Sequence, residues 1–337
     1  MIGSSVGTSA TTRTSDRVSL RDALTSPVFS IGLTLLIVVI AGLILVGPRF
    51  VSTGNLTIIG LFIAVPLIVG AFAGFSLLAG VVDLSIGSTV GVSAAVFGSL
   101  LVNGWDPLPA VPVTLAVGLV VGIVNATAIV RFGGNPIAVT LGTLTALRGL
   151  TFILVELNGQ GRSIFAFNID LFNLMNTSIG QLPALFLAGL AVTAIAAVVV
   201  AKTRTGRHVR AVGGDARAAA RAGISVSKVQ TGALLLSALG AAIGGIILVA
   251  STGGVSGTTG FGLEFRVYAA LMIGGYSILR GGVGSPIGGA LGILAIAALS
   301  NMLDLTAISP FFTDIFVGLL LLAAVYLDRL RGGDSYE

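Results

Sequence analysis

The sequence predicts an all-α integral membrane protein of about ten transmembrane helices, on three observations. Charged residues make up 9% of the 337-residue chain and hydrophobic residues 55%, whereas a soluble domain carries about 25% charge. Ten apolar runs near membrane-spanning length succeed one another between residues 28 and 327. Basic residues crowd into alternate loops, as they do in a chain of fixed orientation.

The first 27 residues are rich in Ser and Thr, set Arg13, Arg17 and Arg21 beside Asp16 and Asp22, and lack the apolar content of a core. They are expected to form a disordered cytoplasmic tail. The run from Val28 to Val46 is too long for a signal-peptide core and has no small-residue cleavage site, so it reads as the first membrane helix. Further spans are expected near 56–79, 84–102, 110–130, 137–155, 182–201, 229–250, 265–279, 285–302 and 311–327. Each approaches the ~20 residues that cross a ~30 Å hydrocarbon core, except the short one at 265–279. The transmembrane domain thus covers 28–328, with a large inner loop at 202–228. A cytoplasmic tail at 329–337 closes the chain.

Charge fixes the count and the direction. With the N-terminus inside, the inner loops and both tails hold fourteen basic residues, and the outer loops hold only Arg49 and Arg162. One helix more or fewer would place the large basic loop or the C-terminal tail outside, against the retention of Lys and Arg on the cytoplasmic side. Both termini are therefore expected in the cytoplasm.

Glycine, at 48 residues, is about twice its ~7% average. It recurs as Gly70/Gly74, Gly87/Gly91, Gly118/Gly122, Gly240/Gly244 and Gly288/Gly292, a spacing that lets membrane helices approach closely. There is no cysteine, and His208 is the lone histidine, so no disulfide, thiolate metal site or paired-imidazole metal site is expected. The basic excess sits where orientation puts it, so no nucleic-acid partner is expected. The two lysines, Lys202 and Lys228, follow Ala201 and Ser227, so the Gly-Lys-Ser/Thr of a phosphate-binding loop is missing. A Ser/His/Asp triad would have to recruit His208 from a surface loop. An enzyme is not expected, nor a cofactor.

Residues 202–228 hold seven of the eighteen basic residues: Lys202, Arg204, Arg207, Arg210, Arg217, Arg221 and Lys228. Gly213-Gly214 is expected to break the chain, and Asp215 to cap a helix by accepting its orphan N–H groups. Ala216 to Ala222 is alanine and arginine, good helix formers, and Gly223 stops it. So short a helix is marginal alone. Its low alanine face, beside Arg217 and Arg221, suits docking into a groove on a partner. A solvated loop that only orients the protein would look similar.

This loop, Thr205-Gly-Arg-His-Val-Arg-Ala-Val-Gly-Gly-Asp-Ala-Arg-Ala-Ala-Ala-Arg-Ala-Gly-Ile224, resembles the large cytoplasmic loop of sugar-type ATP-binding-cassette (ABC) importer permeases, the ribose/xylose/arabinose/autoinducer family. Val82-Asp-Leu-Ser-Ile-Gly-Ser88 and Asn135-Pro-Ile-Ala-Val-Thr-Leu-Gly-Thr143, the latter followed by Arg148-Gly149, are similar to two further family segments. Ile273-Gly-Gly275 through Gly281-Gly-Val-Gly-Ser285 matches its glycine-rich inner turn. The resemblance spans about 55–328 and implies the ten-helix fold of vitamin B12-type (type II) permeases. It also implies a coupling helix between helices six and seven, with Gly206, Arg207, Gly213, Gly214, Asp215, Arg217, Ala219, Ala220, Gly223 and Ile224 meeting an ATPase. The chain departs from the pattern at Glu264-Phe-Arg-Val-Tyr-Ala-Ala270, where Arg266 stands in place of an acid, at Asp215 in place of Asn, and at Thr205 in place of Phe.

Ionisable groups within spans are expensive and often functional. Asp83, Ser85, Asn135, Thr140, Arg148, Glu264 and Arg266 are the candidates for a substrate path. The structural alternatives are equally specific. Asp83 and Ser85 would cap the helix after Gly87, and Asn135-Pro136 would start another. Arg148 would pair with a carboxylate, and Glu264 with Arg266. Trp105 and Tyr268 read as interfacial aromatics. The absence of any ring of like charges fits a neutral, hydroxyl-rich solute.

The expected function is the membrane-spanning permease subunit of an ATP-driven importer of a monosaccharide or related polyol, in a bacterial cytoplasmic (inner) membrane. Its expected partners are a separate ABC ATPase, an extracytoplasmic solute-binding protein, a second permease copy or paralogue, and membrane lipid. The alternatives are import of branched-chain amino acids or another small solute, or, in a different class, an ion-coupled secondary transporter.

Overall fold

The computed structural model describes residues 27–159, 161–306 and 311–331. The tail expected at 1–27 lies, apart from Pro27, outside the described residues, as does 332–337 of the C-terminal tail. Helices dominate. They are α1 (Pro27–Leu45), α2 (Thr53–Leu78), α3 (Ile86–Val102), α4 (Pro107–Ala126) with a π turn over Thr127–Arg131, and α5 (Pro136–Asn158). A short α6 (Ile169–Met175) and α7 (Ala184–Lys202) lead into α8 (Arg204–Gly214) and α9 (Ala216–Arg221). Then come α10 (Val226–Thr252), α11 (Leu263–Ile273), α12 (Pro286–Leu305) and α13 (Phe311–Arg331). Among the described residues six helices are long and apolar enough to cross a membrane: α2, α4 with its π turn, α5, α7, α10 and α12. The last helix runs to Arg331, so the first residues of the tail expected at 329–337 are helical.

The starts and stops follow from local chemistry. The Ser52 hydroxyl accepts from the Asn55 amide to cap α2. Asn135 Oδ1 accepts from the amides of Ile137 and Ala138, with Pro136 in the first turn of α5, where its missing N–H costs nothing. α10 ends at Gly253, whose φ of 77° favours glycine at this position.

α10 is the central helix, packed on α2, α3 and α4. The G-x-x-x-G glycines explain how. A Cβ on Gly118 would strike Ala242 and one on Gly122 would meet Leu235. Gly240 and Gly244 lie against Phe72 and Val69 of α2. On the other side of α2, α12 packs on α1, α2 and α11, and α11 also packs on α13. Gly288 and Gly292 take the backbone of Gly274 and Ala270 directly against them. Only glycine permits such backbone contact.

One expected span differs from the structure. The span at 265–279 is the eleven-residue α11, about 16 Å at 1.5 Å per residue, too short to cross. Gly274, where the helix ends, is followed by an irregular turn that reaches Pro286. In the inner loop expected at 80–83, Gly80 is exposed but Val81, Val82 and Asp83 are buried, as is Ser85 after them. Strands β1 (Ser163–Phe165) and β2 (Gly254–Ser256) pair antiparallel, Ile164 opposite Val255. That pairing holds the loop 253–262 while it turns inward to meet α3.

Candidate functional site

The basic loop folds into two short helices. Thr203 Oγ1 accepts from the Gly206 amide and caps α8. Gly206 lies so close to the carbonyls of Val199 and Val200 that a side chain has no room. The break falls at Asp215 rather than at Gly213-Gly214, which are the last residues of α8. Asp215 Oδ1 accepts from the amides of Arg217 at 2.8 Å and Ala218 at 2.9 Å. The Ala218 N–H first, then the Arg217 N–H and the charges of Arg221 and Arg217, hold this carboxyl below its ordinary value. At the other end the Ile224 and Gly223 amides donate to Ala219 and Ala220, the double bond of a Schellman stop. Ala219 is buried and Ala220 is exposed with Arg217 and Arg221, so only part of the alanine face is outward. Arg207 and Gly214 are exposed, and Ile224 is half-buried.

Glycines join this element to the bundle. Gly213 abuts the Leu78 carbonyl at the end of α2 and the backbone of Gly281 and Gly282. The Gly282 amide donates to that same Leu78 carbonyl at 2.9 Å, and Arg210 Nη2 donates to Gly284 O at 2.9 Å. The turn is also tied to α13, where Asp328 accepts from Ser277 Oγ at 2.7 Å and pairs with Arg280 at 3.4 Å.

Deeper in the bundle, Asp83 is the centre of a polar knot. Its Oδ1 accepts from the Ser85 hydroxyl at 2.6 Å and the Ser85 amide at 3.1 Å, and its Oδ2 from the Ser237 hydroxyl at 2.8 Å. Asn125 donates to Ser85 Oγ at 2.9 Å and accepts from the Thr143 hydroxyl at 2.7 Å. The Tyr268 hydroxyl donates to the Asp83 carbonyl at 2.7 Å. This ties the α2–α3 turn to α4, α5, α10 and α11. Tyr268, expected at the interface, is buried, and Asp83 closes a local turn with Ser85 rather than capping α3.

Near the middle of α5 the Arg148 Nη2 donates to Glu264 Oε1 at 2.6 Å. The guanidinium carbon lies 4.0 Å from the centre of the Phe261 ring, within cation–π range. The Arg148 side chain keeps 28% of its exposure and Glu264 none. Among the described residues, Glu264 Oε2 and Arg148 Nε are buried without hydrogen-bond partners. Gly87 makes the pair possible, since a Cβ there would strike Glu264 Oε2 and the Gly260 carbonyl. Glu264 and Arg266 do not pair with each other. Arg266 turns the other way, to Asp314 on α13 at 2.7 Å, beside a cavity of about 210 Å³ whose polar lining includes Arg266, Asn301 and Asp304. The start of α11 is thus tied to α5 on one side and to α13 on the other. The remaining candidates lie apart: Asn135 is exposed at the start of α5, and Thr140 is buried with its hydroxyl donating to the Pro136 carbonyl at 2.8 Å.

Residues 56–325 match the family described as branched-chain amino acid transport system / permease component. The chain belongs to this permease family. The D-allose transport system permease protein AlsC of Escherichia coli is 29% identical over 83% of this chain and 85% of its own length. The ribose import permease protein RbsC of Haemophilus influenzae is 30% identical, with 88% and 92% covered. The autoinducer 2 import system permease protein LsrC of an Enterobacter species is 31% identical, with 86% and 83% covered.

Sequence reasoning passed over several residues that organise the permease interior. Asn125, Thr143 and Ser237 are single polar residues in apolar runs, and Asp314 and Asp328 lie in the last helix. Their type was visible, but nothing in the sequence paired them. Phe261 carried no signal at all, because its role depends on the loop turning inward. Among the described residues, no three His, Cys, Asp or Glu side chains come together as metal ligands.

Proposed function

We propose that this chain is the membrane-spanning permease subunit of an ATP-binding-cassette importer for a monosaccharide or related polyol. The observation that carries the reading is similarity over 83–88% of the chain, at 29–31% identity, to permeases named for D-allose, ribose and autoinducer 2 import. In this reading ten helices within 28–328 form a vitamin B12-type permease, α11 counting as an incomplete span, with both termini in the cytoplasm of a bacterial inner membrane. The fourteen-to-two distribution of basic residues supports that orientation.

The capped helix α9 is the part that meets a separate ATPase. Gly206, Gly213, Gly214, Asp215, Gly223 and Ile224 shape it, and Arg207, Arg217 and Ala220 face the partner. Ala219 supports it from beneath. The glycine joint at Gly213 and Gly281-Gly282 gives a movement of this loop direct contact with α2 and with the turn between α11 and α12. A soluble binding protein delivers the solute at the outer face. A second permease copy or paralogue completes the path, and lipid surrounds the remainder. The least buried membrane helix, α5, exposes Gly142, Thr145 and Gly149 and suits both the path and the second copy. Of the candidate residues, Arg148 and Glu264 border this path; Asn135 and Thr140 lie nearer the start of the same helix, Asp83 and Ser85 brace it from the buried knot, and Arg266 faces α13.

Deleting the chain from its host should abolish accumulation of labelled D-ribose, D-allose or D-fructose. Loss of leucine uptake with all three sugars unaffected would favour the branched-chain amino acid reading that the family description carries. With no native cysteine to interfere, orientation is tested by single cysteines. Arg162→Cys should react with an impermeant thiol reagent from outside and His208→Cys should not; the reverse pattern would overturn the topology.

A further inference from the structure

We propose that Arg148, Phe261 and the exposed face of α5 form a solute-binding subsite midway across the membrane, one that takes a neutral ring compound bearing adjacent hydroxyls. The proposal rests on the importer reading and assigns the contact within it. An arginine in the middle of a membrane helix is not left facing lipid; such groups face a water-filled space or another part of the protein. Arg148 is 28% exposed in the single chain, so its open edge belongs to the path or to a second copy.

The guanidinium is held on two sides. Glu264 Oε1 takes Nη2 at 2.6 Å, and the Phe261 ring lies 4.0 Å from Cζ. Nε is buried without a partner, and Nη1 makes no hydrogen bond among the described residues. The N–H groups at Nη1 are therefore the donors left to the open edge, with their plane already fixed. A fixed plane of donors suits two neighbouring oxygens, and pre-organisation reduces the ordering cost of binding.

Charge decides the class of solute. Glu264 already neutralises Arg148, so the site offers no net attraction to an anion. It retains donors for hydroxyl oxygens. Phe261 is 62% exposed and offers aromatic carbon to the C–H face of a sugar ring. Thr145, one turn before Arg148, is exposed, and a Cβ on Gly149 would meet nothing within 4 Å, so a small ring can approach the helix here.

The test uses the complete importer in its host, with labelled D-ribose, D-allose and D-fructose as probes. Arg148→Lys keeps the charge and a partner for Glu264 but loses the planar fork. It should insert and co-purify with the ATPase, lower uptake of the transported sugar at least tenfold, and change the ratio of rates between the sugars. Uptake at the wild-type rate, or an equal loss for every sugar, would overturn the proposal. The reversed pair, Arg148→Glu with Glu264→Arg, restores the ion pair but moves the fork; recovery of wild-type uptake would show that Arg148 acts only through pairing.

A third measurement does not depend on altering the pair. Thr145→Cys, the only thiol in the chain, should react with a small permeant reagent at least threefold more slowly in saturating sugar. No protection by a sugar that the same cells accumulate would overturn the subsite. Protection that depends only on the presence of a second permease copy would assign the open edge to that copy instead. Failure of wild-type cells to accumulate any sugar would count against the importer reading itself, a separate result.

Discussion

Asp83 and Glu264 are both buried acids held in the interior of the bundle, and they are treated in opposite ways. Both oxygens of Asp83 are hydrogen-bonded, and the bonds run on through Ser85, Asn125, Thr143 and Ser237. Glu264 has one oxygen on Arg148 and the other without a side-chain partner among the described residues, and Arg148 keeps an open edge. A fully satisfied network fixes helices in place. A partly satisfied one is costly unless something else uses it. On the proposed reading the first region is scaffold, and the second is where a mobile solute takes part.

The largest effect expected on this comparison is at Asp83. Asp83→Ala would leave the Ser237 hydroxyl and the Ser85 hydroxyl and amide without their acceptor, each at about 1–3 kcal/mol. The variant should melt well below the wild type in a thermal unfolding assay of the solubilised chain, and transport should fall with it. A wild-type melting curve would mean that the knot is not the scaffold.

Gly87→Ala comes next. Its methyl would collide with Glu264 and the Gly260 carbonyl, and overpacking costs about 1–3 kcal/mol. The matched control is Gly142→Ala on the open face of α5, where nothing lies within 4 Å; it should not lower the melting temperature, and Ala's better helix propensity would raise it slightly. Equal effects from the two would erase the distinction between the packed and open faces.

Ala220→Asp sharpens the comparison from outside the membrane. The site is exposed, so stability should move by no more than about 0.5 kcal/mol. Co-purification of the ATPase and uptake should both be lost, because the new charge would lie unpaired in a contact that excludes water. Uptake near the wild-type rate would reduce the loop to an orientation signal. Ala219 is a poor probe, since it is buried within the chain and would confuse folding with docking.

The smallest effect is at Asp215. Its pKa is lowered in the folded loop by the Ala218 amide first. The capping contribution is therefore fully present above the ordinary carboxylate pKa of about 3.9, and it fades as pH falls through the lower folded value. Hydrogen-exchange protection of α9 should be flat from neutrality down to that range. Asp215→Ala should remove protection that Asp215→Asn, which keeps an acceptor, retains. Equal protection in the two variants would mean that the cap does not hold the helix.

Much of this was legible in the sequence, for identifiable reasons. Apolar runs placed the long helices because each crosses an apolar medium independently of its neighbours. The glycine pairs marked where helices touch, as Gly118/Gly122 and Gly240/Gly244 show. Asp215 and Gly223 bounded α9 because caps are local. What the sequence withheld is non-local. Tyr268 looked interfacial, yet its hydroxyl meets a backbone carbonyl 185 positions away. Glu264 and Arg266, two residues apart, looked like a pair, but their side chains diverge toward α5 and α13. The short span near 265–279 was recognisable as unusual, but the inward course of residues 253–262 that makes sense of it depends on the β1–β2 pairing.

The most direct test of the whole account is the energy source. Uptake of labelled D-ribose, D-allose and D-fructose should be measured in host cells with and without the chain, after ATP depletion and, separately, after a protonophore that leaves ATP intact. The account predicts chain-dependent accumulation of at least one sugar that stops when ATP is exhausted and survives loss of the proton gradient. Accumulation that collapses with the gradient and ignores ATP would make this chain an ion-coupled transporter and contradict the coupling role of its basic loop.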